Sequence, residues 1–397
     1  MEKHQKLLPG QLDPSFGEGG YILYPEGNES FLGDFRLLPD GKILAASYSG
    51  NALWLARFSA DGVLDESFGD GGKLFTAIPN AIIIEMLSFA VQKSRDRIVC
   101  VIRFNSLAGI IGEVMLIGLL PDGSIDPSFG NEGLTLLPTE ADQNRFQEFQ
   151  LAVGDDAITL GLKEERRTTL YAAVASLTAD GEIRADFGGG VVRFGGYQEQ
   201  LHAVPRPDGK VLTVGAKSVG TEFILTQFNP DGTLDMNFGV NGIFDYPVTT
   251  EYTFLHINGV ALKSDGEIVV AGSLFAGAES SAVLLQVTED GQLDESFNGG
   301  EPLFIRYDGN VSRNFDLALQ EDGRIILLSR SSGKPVVVAR ILSSGAFDPS
   351  FGNNGFTWVD RGLQGYSLAL QSDGKILLSA MEIADYRKLL IIRLTAD

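Results

Sequence analysis

"IIRLTAD" at residues 391–397 and "GQLDPSFGEGGYILYP" at 10–25 read as two halves of one unit. Set end to end, they reproduce "LARFSADGVLDESFG" at 55–69 and "LTQFNPDGTLDMNFG" at 225–239. In those internal copies an apolar run passes unbroken through Asp-Gly into Leu-Asp and a Phe-Gly corner. The C-terminal piece stops at Asp397 and the N-terminal piece takes over at Gly10. The expectation is that both ends meet in one sheet and close a ring.

The corner recurs seven times, as "LDPSFG" (12–17), "LDESFG" (64–69), "IDPSFG" (125–130), "IRADFG" (183–188), "LDMNFG" (234–239), "LDESFN" (293–298) and "FDPSFG" (347–352). Successive copies lie 51 to 61 residues apart. Each unit carries two tight turns. The first is clearest in "LLPDGKIL" (37–44), "PRPDGKVL" (205–212), "LKSDGEIV" (262–269), "LQEDGRII" (319–326) and "LQSDGKIL" (370–377). The second directly precedes the corner, as in "FSADG" and "FNPDG". Asp-Gly between β-forming runs marks a hairpin, because Gly takes the positive φ of the turn without a Cβ clash. Each unit therefore reads as four short strands in antiparallel succession. Repetition at that length fits a blade of a β-propeller. A solenoid would need capping units at its two ends, and none is visible. The predicted fold is all-β: a seven-bladed propeller, one domain over residues 10–397, its last blade closed by the N-terminal strand. Residues 1–9 are expected to form a short tail.

The repeated residues have physical reasons to recur. The corner Asp is placed to accept a backbone N–H two residues on, and its Phe to anchor one blade on the next. Asp61, Asp65 and Asp70 crowd like the oxygens of a calcium loop, yet no D-x-[DN]-x-[DN]-G run exists. The fourth copy also has Arg184 and Asp186 in place of Asp and Ser. A structural turn is preferred, calcium remaining possible but not favoured, and no cofactor is expected. Four residues before the second turn stands a column: Arg57, Gly118, Ser176, Gln227, Gln286, Arg340 and Arg393. Its arginines are expected to brace a neighbouring corner Asp through paired N–H···O bonds.

With 52 acidic residues against 31 basic ones, the net charge is −21, which argues against nucleic acid and anionic membranes as partners. Part of that acidity belongs to the turns themselves. The lone Cys100 lies in the apolar stretch "RIVCVI" and reads as a core thiol. No stretch of 18 apolar residues offers a membrane span, and the first residues lack the apolar core of a secretory signal. A cytoplasmic location, or export without such a signal, is the expectation, with the chain a monomer.

The string Leu-Asp-x-Ser-Phe-Gly after a strand ending in Asp-Gly resembles the bacterial delta-sixty repeat family over about residues 10–397. That resemblance implies propeller-like modules with no assigned chemistry, and it carries over no catalytic residues.

Both turns of a unit lie at one end of the blades and vary little. The opposite end collects loops that differ in every copy, such as "FNSLAGIIGE" (104–113), "KEERRTT" (163–169) and "RYDGNVSR" (306–313). Recognition residues favour loops on a rigid scaffold, so this irregular face and its channel mouth form the candidate site. Six residues before the first turn, with one insertion allowed in the second copy, stand Asp34, Ser88, Phe149, His202, Gly259, Asp316 and Ser367. A mostly small or polar ring among apolar neighbours suits a water-filled channel. Asp34, Ser88, His202, Asp316 and Ser367 are the candidate ligand-binding residues, though a plain channel lining explains them as well. Tyr24, Tyr197, Tyr252, Tyr307, Trp358 and Tyr386 are candidate rim aromatics, with Tyr252, Tyr307, Trp358 and Tyr386 the chosen four. Two readings follow. One is a non-catalytic platform for a protein or glycan; the other is a hydrolase or lyase using Asp34, Asp316 and His202 as acid and base. No nucleophile elbow, phosphate loop or zinc-binding cluster is present, so no catalytic residue or metal ligand is assigned.

Overall fold

The computed structural model describes residues 7–24, 34–78, 81–106, 111–138, 144–166, 169–194, 197–217, 221–248, 251–277, 279–307, 312–331, 335–360, 362–382 and 389–396. Among them lie seven four-stranded antiparallel sheets, six of them meanders in unbroken chain order. Numbered along the chain, the first strand of each sheet is β2 (Asp34–Leu37), β6 (Ala81–Gln92), β10 (Asn144–Val153), β14 (Tyr197–Pro205), β18 (Phe254–Leu262), β22 (Ser312–Leu319) and β26 (Gly362–Leu370). These seven converge on the ring axis, since residues from every one of them line the same central cavity. No helix among the described residues is long and apolar enough to cross a membrane.

The middle strands of the blades are buried on both faces, which is why they read as unbroken apolar runs. All six residues of β24 (Val336–Ile341) are buried, and so are all six of β28 (Leu389–Leu394). The core therefore lies between blades. One apolar cluster joins Phe16, Ile22, Leu377 and Ile391 of the last blade to Phe35, Ile43 and Phe58 of the first. Cys100 is wholly buried in the cluster between the first two blades, and burial pushes its thiol up to about 12.

The seventh sheet is completed by β1 (Tyr21–Tyr24), which pairs antiparallel with β28 from Tyr21 opposite Ile392 to Tyr24 opposite Leu389. The turn shared by the two chain segments copies the continuous ones. Gly10 N–H donates to Thr395 O and Thr395 N–H to Gln11 O, as Gly62 N–H donates to Ser59 O and Ser59 N–H to Val63 O. Gly10 has φ +82, the value of Gly62. Asp397 itself lies outside the described residues, as do residues 1–6 of the expected tail. Pro9 is fastened to the neighbouring blade, its carbonyl accepting Gly352 N–H at 2.9 Å.

The column before the second turn acts as a joint between blades. Arg340 donates through Nε to Asp348 Oδ2 at 2.8 Å and through Nη1 to Ala396 O of the next blade at 2.5 Å. Arg57 reaches Asp65 and Pro121 O in the same way, and Arg393 reaches Asp13 and Ala60 O. Each guanidinium lies over its own corner Phe: Arg57 on Phe68, Arg340 on Phe351 and Arg393 on Phe16. The braced corner Asp thus belongs to the arginine's own unit rather than the neighbouring one, and the next unit is reached at a backbone carbonyl and, from Arg393, also at Asp61 Oδ1 at 3.0 Å. Where the column lacks Arg, another residue supplies the cation. At Gly118 a Cβ would come within 2.5 Å of Phe129, and Arg97 on β7 (Arg97–Ser106) fills the place, donating to Asp126 and Ala179 O. Beside Ser176, Arg184 at the corner position donates to Pro230 O.

Candidate functional site

Every inner strand except the short β2 is interrupted by a register shift beside its ring residue. The shifts fall at Met86/Ser88, Phe146/Phe149, Glu199/His202, Ile257/Gly259, Asn314/Asp316 and Gly365/Leu368. A β-bulge breaks the alternation of side chains and re-aims one of them. Here the re-aimed positions face the axis. Asp34, Ser88, His202, Gly259, Asp316 and Ser367 all line one cavity of about 550 Å³. Of the seventh position, Phe149, only the backbone is described, and its neighbour Gln150 lines the cavity.

The ring residues also stitch adjacent inner strands. Asp316 accepts Leu317 N–H through Oδ1 and Leu368 N–H of the next blade through Oδ2, both at 2.8 Å. His202 Nε2 lies 3.5 Å from Ile257 O, again in the next blade. Asp34 accepts Phe35 N–H and pairs with Arg36 at 2.6 Å. Ser367 and Ser379 share a hydroxyl–hydroxyl bond of 2.9 Å.

Burial dominates the electrostatics. Asp316 is half-buried at the cavity wall, and burial pushes its carboxyl up to about 7 against the opposing pull of the two backbone N–H groups and Arg36. His202 is brought down to about 4, first by burial and then by the nearby His256, so it is neutral at pH 7.

His256, Asn258, Arg313, Phe275 and Tyr366 line the same cavity and were not among the residues expected there. A hydrogen-bonded chain ties this wall together. Tyr307 O–H donates to Ser329 Oγ, and Ser329 O–H to Asn314 Oδ1. Asn314 N–H donates to Ser273 Oγ, and Ser273 O–H to Asn258 Oδ1. With Oδ1 accepting from Ser273, the Asn258 amide turns Nδ2 toward His256 Nδ1 at 3.1 Å. The signal for His256, Asn258 and Asn314 was present as polar residues just upstream of the ring position. The bulge, which decides which of them faces inward, has no residue signature of its own.

Three of the expected rim aromatics have described side chains, and one of them, Tyr307, does not face solvent. Tyr307 is fully buried, because its ring packs against Phe347, Phe356 and Trp358 while Ser329 satisfies its hydroxyl. Trp358 is half-buried on β25 (Phe356–Val359), the outermost strand of the sixth blade and so the one farthest from the axis. Tyr252 is half-buried, and its hydroxyl accepts Arg306 Nη2 at 3.1 Å. Tyr386 lies outside the described residues, and the side chains of Tyr24 and Tyr197 are not described. Of the three suggested calcium ligands, Asp65 accepts from Ser67 and Arg57 and lies 3.1 Å from Lys42, and Asp61 accepts from Arg393.

The family described as "Domain of unknown function (DUF5122) beta-propeller" matches residues 38–68, 206–238 and 263–297. No curated protein matches. Among solved structures, polysaccharide lyase Uly1 is similar at TM-score 0.51 and 10% identity, over 99% of this chain and 94% of that one. Prolyl oligopeptidase B from Galerina marginata aligns at TM-score 0.49 and 10% identity, over 87% of this chain and only 45% of the peptidase. The Nup133 β-propeller domain of Vanderwaltozyma polyspora aligns at TM-score 0.45 and 11% identity, over 94% and 100% of the two chains. At such identities the likeness concerns the fold alone.

Proposed function

We propose that the protein is a binding module whose axial cavity takes a polar, hydroxyl-rich ligand, a short stretch of glycan. The observation that carries this reading is the composition of the cavity wall. Carboxylates, guanidinium groups, amides, imidazoles and hydroxyls from all seven inner strands face one space of about 550 Å³, with Phe275 and Tyr366 supplying apolar surface. Mixed donors and acceptors beside aromatic rings match the alternating hydroxyl and C–H surfaces of a sugar. Asp316 and His202 already hold backbone groups of the adjoining blade, and Asp34 is paired with Arg36, which suits a rigid receptor. A glycan array followed by calorimetry tests the reading, with wild type set against Asn258→Ala and Tyr366→Ala. Binding that weakens in both variants is expected. No glycan bound by wild type would remove the proposal.

A second reading has one observation in its favour. Asp316, its carboxyl raised by burial to about 7, shares the cavity with His202 and with the second carboxylate, Asp34, an arrangement that general acid–base catalysis uses. Turnover in a hydrolase and lyase panel, abolished by Asp316→Asn, would replace binding with catalysis.

A further inference from the structure

Resting on the glycan reading, the geometry points to an acidic sugar: we infer that Arg313 receives the carboxylate or sulfate of the bound saccharide. In a chain of net charge −21, an exposed guanidinium at the cavity needs an explanation. The other cavity arginine, Arg36, is committed to Asp34 at 2.6 Å. Arg313 has no carboxylate partner among the described residues. Its guanidinium carbon lies over the Phe275 ring, 4.6 Å from the centroid, a contact that restrains the side chain.

The surroundings of Arg313 suit an anion. Phe275 rests on Phe254 at 5.8 Å, and Phe254 on His256 at 6.4 Å, so Arg313 and His256 belong to one flank of the cavity. The polar groups of that flank are neutral: Asn258, Ser273 and Asn314, held rigid by the chain of hydrogen bonds that begins at Tyr307. The nearest ring carboxyl is that of Asp316, whose oxygens already accept two backbone N–H groups. A planar fork with restricted motion recognises carboxylate and sulfate through paired N–H···O bonds. The general negative field works against long polyanions but is screened at physiological salt beyond about 8 Å, which favours a short segment bearing one or two charges.

Titration calorimetry with matched pairs decides the matter. The probes are an oligogalacturonide against its fully methyl-esterified form, and a sulfated oligosaccharide against its desulfated counterpart. The expected result is that one charged member binds, that its neutral match binds about ten- to a hundredfold more weakly, and that Arg313→Gln brings the charged member to the neutral level. Arg313→Lys should restore part of the loss, and both variants should melt like wild type because the side chain is exposed. Which pair responds identifies carboxylate or sulfate. Equal binding of charged and neutral members, or no effect of Arg313→Gln, overturns the inference while leaving the glycan reading standing. Binding of no probe and of no other saccharide overturns both.

Discussion

Arg340 shows how one residue carries the joint between two blades. It is wholly buried, and it serves Asp348, Ser350 and the next blade's Ala396 carbonyl at once. Removing it leaves Asp348 only the longer bond from Arg324 at 3.3 Å as a cationic partner, so Arg340→Ala should cost about 3 kcal/mol in a urea titration. Arg340→Lys should recover only part, for want of the fork. Asp316 offers a second test at this scale. Its folded pKa, about 7, lies above the ordinary carboxylate value, so the folded state holds a proton that the unfolded state has already released. Stability from this group is present below about pH 4 and is lost as pH rises toward 7. The melting temperature of Asp316→Asn relative to wild type should therefore improve steadily from pH 5 to pH 8. A flat difference would mean the carboxyl is ionised throughout.

At the scale of the element, the seventh blade depends on a strand brought from the far end of the chain. Without β1, the edge of β28 would present the backbone of Leu389–Leu394, an apolar strand, to solvent. Such an edge recruits other chains. Deleting residues 7–24 should therefore produce oligomers or aggregates, visible by light scattering. Covalent continuity at the turn is not required by the hydrogen bonding, which the two segments already complete. A circular permutant joining Asp397 to Gly10, and opened within residues 332–334, should fold with a melting temperature near that of wild type. Loss of folding in that permutant would contradict the shared turn.

Across the whole molecule the corner Asp residues act together. In Asp13, Asp126, Asp235, Asp294 and Asp348 burial pushes the carboxyl up. Hydrogen bonds from the residue two places on, and side-chain donors or cations such as Arg340, Arg393 and Lys210, outweigh it. Each ends below the ordinary range, Asp348 at about 2. Depressed carboxyls contribute stability above about pH 4 and lose it as pH falls toward 2. The ring should thus unfold in acid over that interval. Removing one clamp, as in Arg393→Gln, should move the midpoint upward in a circular-dichroism titration.

The blade count, the strand order within a blade and the meeting of the ends were all legible in the sequence. Each rests on chemistry local to a few residues: Asp-Gly needs positive φ, the corner Asp caps its own turn, and the corner Phe must be buried in every copy. The ring of Asp34, Ser88, His202, Asp316 and Ser367 was legible for the same reason, as a polar position recurring at fixed distance from a turn. What faces the cavity beyond that ring was decided only in three dimensions. Tyr307 and Trp358 read as rim residues because an aromatic in a variable loop looks alike whether it faces water or a neighbouring strand. Packing against Phe347 and Phe356 decided otherwise. Arg97 replaces the missing column cation from a different strand, and Arg313 meets Phe275 across two blades, contacts with no fixed spacing along the chain. Repetition encodes what each unit does for itself; contacts between unlike positions arise only when the ring closes and the bulges choose which side chains look inward.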